Sequence, residues 1–502
     1  MSQKKTLVVM ALAALTLSGC ANGEGAGSGD SDTLTIGTIL PPTTFDLEGR
    51  EWGNASPFYQ AVYDTLLSAT PDGDVEPRLA TEWSYDEDGT VLTMELRDDV
   101  TFSDGSEFTA RVARDNLEAF QESGATASIY LADVTGVEAT GDHTLEITLA
   151  EPDPAFLNYL ARDPGVMVSG EALGDDSLAG EPVGSGPYLL DTSATVTGTG
   201  YVYTRNPDHW DTEAQHYDRL VINVYEEPTA ALNAIKAGEV DAAQLASNDN
   251  RPEVEAAGWD IHTVELDFQG LLLFDRAGDM NPALSDPRVR QAINHAVDRY
   301  AMLEALQGGY GSVTSQVFPE HSMGFDPELE EYYDYDPERA RELLEEAGYG
   351  DGFVLEMPMS TALGSTPYTL LEQQLNDIGI VAEHTDSGNN FFADMLAPKY
   401  PAAMMSLEQN PDWQLVRFMV APGAQFNPLD SQTDELDALI EELQYGADQE
   451  QAARAINTYL VEEAWFAPFY RVDAAFATSE GVEVDTLATN AYPNLYDIRP
   501  QS

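Results

Sequence analysis

The only cysteine of this 502-residue chain is Cys20, and it stands just after an apolar segment, 7–17, that Lys4 and Lys5 precede. No disulfide can form within the chain, so whatever folds beyond residue 20 must be held by the size and packing of its own core. The 11 residues of 7–17 are too few to cross a bilayer as a helix, which takes about 20, but they suit the central part of an export signal. Residues 21–32 hold four glycines and no large side chain, which predicts a flexible tether. No other apolar run approaches 18 residues, so the remainder is expected to fold in water. The 23 Lys and Arg against 88 Asp and Glu give a formal charge of −65 at pH 7. That excludes a phosphate-neutralising nucleic-acid binder and a basic membrane-surface protein. A hydrophobic share of 43% is too high for a disordered acidic chain, and the length predicts two to four domains.

Alternating apolar residues predict strands at 34–39, 91–96, 144–149, 220–224 and 353–357. Acid and glycine stand together at 86–89 and 140–142, which predicts hairpin turns with a glycine at positive φ. Helices announce themselves through caps. Ser285-Asp286-Pro287 precedes an apolar stripe of Val289, Ala292, Ile293, Ala296 and Val297, and Asp336-Pro337 opens another with Ala340, Leu343, Leu344 and Ala347 inward and Gly348 behind. Further helices are predicted over 228–238, 367–379, 434–446 and 448–466. No short repeat recurs, so a solenoid or propeller is excluded.

Catalytic constellations are missing. No two of the seven histidines stand at i, i+3 or i+4, which removes the helical zinc pattern, and His295 reads as a polar surface or interdomain group. Gly184-Ser185-Gly186-Pro187 lacks the spacing of a nucleophile elbow and reads as a turn. There is no phosphate loop, and Lys236 and Lys399 are the only lysines beyond the export signal. The acids at 72–74 and 86–89 do not continue into a calcium loop. No enzyme activity, no cofactor and no metal site is expected; a secreted hydrolase is the alternative from a different class, and the missing nucleophile elbow argues against it.

Two resemblances follow. Leu-Ser-Gly-Cys at 17–20 resembles the lipobox of bacterial lipoproteins, which implies lipidation of Cys20 and attachment to the membrane by that anchor alone. Tyr-Asp-Thr-Leu-Leu at 63–67, Glu-Pro-Arg-Leu-Ala-Thr-Glu-Trp at 76–83, Val-Thr-Phe-Ser-Asp-Gly at 100–105, Pro-Val-Gly-Ser-Gly-Pro-Tyr at 182–188, Asn-Pro-Asp-His-Trp at 206–210, Asp-Pro-Arg-Val-Arg-Gln-Ala-Ile-Asn at 286–294 and Asn-Leu-Tyr-Asp at 494–497 follow in order. The series resembles family 5 of the extracellular solute-binding proteins of ABC importers, the oligopeptide, dipeptide and nickel type. It implies an α/β, two-lobed fold of the periplasmic-binding-protein kind (type II, cluster C), with a hinge and a domain inserted in the first lobe. The first lobe would combine 33–67, 181–267 and 478–502, the inserted domain 68–180, and the second lobe 268–477. The implied role is a monomeric receptor at the extracellular face of the membrane, or in the periplasmic space of a cell with an outer membrane. It would capture a peptide or small polar solute and deliver it to the transmembrane subunits of an ABC permease; nickel or a nickel chelate is the alternative cargo.

The residues expected to reach cargo lie mainly at 404–413. Peptide-binding members place an aspartate there that pairs with the cargo's ammonium; here that position is Gln409, a neutral amide, which leaves Glu408 or Asp412 to take over. Trp413 is expected as an aromatic wall. Phe45 and Asp46 after the first strand, Gln269 at the expected hinge, and Ser360 and Thr361 in a loop complete the set.

Overall fold

The computed structural model describes residues 32–361 and 364–501. The expected export signal, Cys20 and all but the last residue of the expected tether lie outside the described residues.

One nine-stranded mixed sheet organises the fold. Its strands run in the order Ala402–Glu408, Asp260–Leu273, Phe466–Thr478, Ala242–Gln244, Thr33–Thr38, Arg219–Val224, Gly200–Arg205 and Tyr188–Leu190, with Gly311–Val313 added beside Phe466–Thr478. Thr33–Thr38 is parallel to both of its neighbours; the other pairs are antiparallel. Asp260–Leu273 and Phe466–Thr478 have 14 and 13 residues, about 45 Å each at a rise of about 3.3 Å per residue. They carry the chain from the sheet's parallel centre to its far edge, and the junctions expected at 267/268 and 477/478 fall within them. Their ladder shifts register between Glu265 and Asp267 and again between Gln269 and Gly270, as a bulge on each strand requires. The carbonyl of bulged Leu266 accepts the Gln409 N–H at 2.7 Å instead. At Gly270 the strands are so close that a Cβ would stand 2.7 Å from Pro468 Cα, so only glycine fits without a shift.

A separate antiparallel sheet, Ala80–Tyr85, Val91–Leu96, Thr144–Leu149 and Val134–Ala139 in spatial order, packs beneath helix Ala110–Glu122. The hairpin at 86–89 has Gly89 at φ +70°, as expected. The turn at 140–142 forms, but Gly141 is not at positive φ; Thr140 closes it with a backbone bond to the Thr144 carbonyl. The apolar cluster of this sheet, with Leu92, Ile147 and Phe156, continues into Trp413, Val416 and Ile440. Arg417, paired with Asp133 and Asp153, ties the same two regions together.

Capped helices fall where the sequence puts them: Pro287–Ala296 and Pro337–Glu346, each with an aspartate N-cap and proline in the first turn, then Pro228–Ala237, Thr366–Asp377, Asp434–Tyr445 and Gln449–Glu462. Two ends differ. Val297 is extended rather than helical, and the last helix stops at Glu462 instead of 466, because Ala464 turns the chain at φ +49° and Phe466 already starts a strand. Arg299 is enclosed behind that strand and donates to the carbonyls of Asn294, Thr314, Tyr333 and Pro468 and to Asn294 Oδ1. Burial pushes its pKa down to about 10, which leaves it charged at neutral pH.

Candidate functional site

Most of the motifs that carry the family resemblance converge on one buried ion pair. Asp64 accepts from Arg78 at 2.7 Å, Ser185 Oγ at 2.8 Å and Trp210 Nε1 at 3.2 Å, while His209 Nδ1 lies 2.9 Å from the Ser185 carbonyl. The Arg78 guanidinium sits between the rings of Trp210 and Tyr496. Burial opposes ionisation of Asp64, yet Arg78, His209 and the Ser185 hydroxyl hold its pKa below the ordinary carboxylate value; burial also lowers that of His209. A Cβ on Gly184 or Gly186 would meet the backbone of Val62 at 2.0 to 2.4 Å, so the turn at 184–187 serves close backbone approach.

Above this pair opens a cavity of about 40 Å³, walled by Asn158, Arg162, Pro411, Gln414, Thr489 and Asn490. Those residues come from three distant stretches of chain. Arg162 joins them: its Nη1 is 3.3 Å from Glu408 Oε1, and its Nη2 donates to the Thr489 carbonyl at 2.7 Å. Thr489 and His321 flank Gly73. Burial, then the Arg162 charge, lowers the His321 pKa. Across the strand pair Glu408 faces Asp267, whose carboxyl is pushed up to about 6 by burial and by the Glu408 charge.

None of the nine expected residues lines this cavity; Glu408 reaches it through its contact with Arg162, and Trp413 lines a separate pocket with Asp133 and Arg417. Glu408 ends a strand and is half exposed; Gln409 is 4% exposed, with Nε2 donating to the Val317 carbonyl at 3.0 Å. Asp412 begins helix Asp412–Met419 at φ +42°, and its carboxylate accepts the backbone N–H groups of Met323 and Gly324. Trp413 is buried in the shared apolar cluster. Gln269 lies on the neighbouring strand opposite Ser406, beside a register shift. Phe45, 2% exposed, packs edge-on against Tyr59 and Tyr201 in a different core, and Asp46 accepts the Glu48 N–H in a local turn. Ser360 is buried at a strand end, and Thr361 bonds to Asp386. Neither pair touches 408–413 through any hydrogen bond or ring contact among the described residues.

Sequence reasoning passed over Arg162, Asp267, His321 and Thr489. One signal was available for Arg162: with 23 cations against 88 acids, an arginine in an otherwise apolar and turn-rich stretch is conspicuous. Among the described residues no helix is long and apolar enough to cross a membrane, and no three His, Cys, Asp or Glu gather as a metal site.

Residues 74–421 match the family described as bacterial extracellular solute-binding proteins, family 5 middle. The chain belongs to that family. Heme-binding protein A of Haemophilus influenzae is 28% identical over 440 residues, 78% of each chain. The glutathione-binding protein GsiB of Salmonella typhi is 29% identical over 350 residues, 65% of this chain and 64% of its own. In fold, HbpA2 of Haemophilus parasuis superposes with a TM-score of 0.82 at 21% identity, covering 94% of this chain and all of that one. The two-lobed α/β architecture is thus that of family 5, and the chain is a substrate-binding protein of the ABC-transporter type.

Proposed function

We propose that this family 5 protein captures short peptides or peptide-sized polar solutes between its lobes, while anchored through Cys20, and hands them to the membrane subunits of an ABC permease. The observation that carries the reading is the cavity beneath Arg162, where the 68–180 region, the 404–414 segment and the C-terminal stretch at 489–490 meet around polar groups of both signs. Arg162 complements a carboxylate, and the amides of Gln414, Asn158 and Asn490 complement peptide groups. GsiB, a relative that binds glutathione, supports a cargo of tripeptide size.

Solute sites commonly measure about 300 to 1,000 Å³, well above the 40 Å³ enclosed here. Cargo therefore enters only when the walls part, and closing them again is what a permease can read as the loaded state.

Native mass spectrometry on residues 21–502, purified without refolding and followed by release of bound molecules, tests the reading. Co-purified peptides of a narrow length range are the expected result. A metal chelate or a heme in their place overturns the peptide assignment while keeping solute capture. An empty protein that also gains no thermal stability from a peptide digest overturns both.

A further inference from the structure

We infer that a second binding site lies in the seam between the four-stranded sheet and the helices of 412–445, and that it takes a small organic cation carrying one neutral carbonyl, of the kind the amide of a basic amino acid presents. It stands apart from the proposed peptide site, because the two cavities share no lining residue.

The cleft measures about 340 Å³, within the range of about 300 to 1,000 Å³ usual for solute sites. Helix Asp412–Met419 supplies Trp413 and Arg417, four residues apart and so on one face; helix Asp434–Tyr445 supplies Asp437, Glu441 and Gln444 by similar spacing. Asp133 and Glu151, beside the strands Val134–Ala139 and Thr144–Leu149, face them from the sheet. The seam is fastened at its edge, where Gln444 Nε2 donates to the Pro152 carbonyl at 3.0 Å and the Tyr445 hydroxyl lies 3.1 Å from Glu151 Oε2.

Charge on these walls is unbalanced. Arg417 is the one cation among the lining residues, and Asp133 and Asp153 already hold it. No ion pair among the described residues reaches Glu151, Asp437 or Glu441. Asp437 and Glu441 repel each other at i, i+4, and Asp437 Oδ1 is buried without a donor. Trp413 adds a demand of the opposite kind. It is 6% exposed and lines the cleft, yet its indole N–H has no acceptor among the described residues, which is costly for a buried donor. A bare metal or alkali ion would answer the acids and leave that N–H unpaired. A carboxylate would answer the N–H and meet the repulsion of the acids. An ammonium group joined by a short carbon chain to a neutral carbonyl serves both, and Ala421, Pro422 and Ile440 offer apolar surface to the chain between.

Isothermal titration of residues 21–502 in about 0.5 M sodium chloride, where diffuse attraction to so acidic a protein is screened, tests the site. Lysinamide is compared with norleucinamide, which lacks the second ammonium, and with cadaverine, which lacks the carbonyl. Lysinamide is expected to bind at least about ten-fold tighter than either. D437N/E441Q removes a like-charge pair from one helix and should fold at least as well as wild type; it is expected to weaken lysinamide at least about ten-fold. W413F, checked for folding by thermal denaturation, should bring lysinamide down to the affinity of cadaverine. Absence of lysinamide binding at millimolar concentration overturns the site. Equal binding by wild type and folded D437N/E441Q overturns its placement in this cleft, and cadaverine bound as tightly as lysinamide overturns the role given to the Trp413 N–H.

Discussion

Replacing Asp267 by Asn should stabilise the solute-free protein, and the gain should disappear in acid. In the folded chain burial, and then Glu408 across the strand pair, raises the Asp267 pKa from 3.8 to about 6. The unfolded chain releases that proton near 3.8. Below both values Asp267 is neutral in either state and resembles the amide, so the variant gains nothing. Between them the folded state holds the extra proton, and stability falls as pH rises; above about 6 the full cost of ionisation is present. A shift of about two units at about 1.4 kcal/mol each sets a ceiling near 3 kcal/mol, and partial solvent access lowers the expected gain to about 1 to 2 kcal/mol. Arg162 and His321, the other charged or titratable groups of the cluster, are common to both proteins and cancel to first order. Urea denaturation followed by tryptophan fluorescence, on protein freed of solute by refolding, measures the difference at pH 7.5 and pH 4. A variant no more stable than wild type at pH 7.5, or equally favoured at both pH values, would refute the reasoning.

Three further outcomes are expected. Removing residues 1–19 deletes two lysines and no acid, which leaves 21 cations against 88 acids and a charge of −67; the melting temperature should climb between low salt and molar sodium chloride as the Debye length shrinks from about 10 Å at 0.1 M to about 3 Å at 1 M, and a flat profile would exclude self-repulsion as a stability term. R78M strands the buried Asp64 carboxylate and should cost about 3 to 5 kcal/mol in urea, a loss that D64N in the same chain partly restores; a loss under 1 kcal/mol would mean the pair is not held dry. G270A drives a Cβ into the Pro468 backbone and should cost about 1 to 3 kcal/mol, whereas unchanged denaturation would place the two long strands further apart.

Local signals were legible wherever one residue type does one job. Asp286-Pro287 and Asp336-Pro337 start helices because aspartate caps and proline presets φ, and both helices begin at the proline. The strands at 91–96 and 144–149 show clean alternation because one face is buried and the other wet. The long strands were not legible. In 260–273 the bulge at Leu266 breaks the two-residue period, and the apolar run beyond Gly270 no longer alternates because both faces are covered. The helix predicted over 448–466 overruns to the first residue of Phe466–Thr478, since an alanine in the left-handed region gives no sequence warning of the turn at 464. The site followed the same division. Residues 408–413 could be named from the family resemblance, but Asp267 and Arg162 meet Glu408, and Thr489 meets Arg162, only through pairings across more than 100 residues of chain, which no local pattern records.

Arg299 has a consequence for how the molecule comes apart. One guanidinium ties the chain at 294, 314, 333 and 468, the work that a cystine would do in a chain with thiols to spare. Unlike a cystine it adds nothing to the order of the unfolded chain and needs no oxidant to form, so the tie is remade each time the chain collapses. These four strands of sequence are also interdependent: losing any one leaves a buried charge short of acceptors and loosens the rest. Their amides should therefore exchange with solvent as a single cooperative unit, slower than the segment at 404–414, which under the proposed function yields each time a solute enters or leaves.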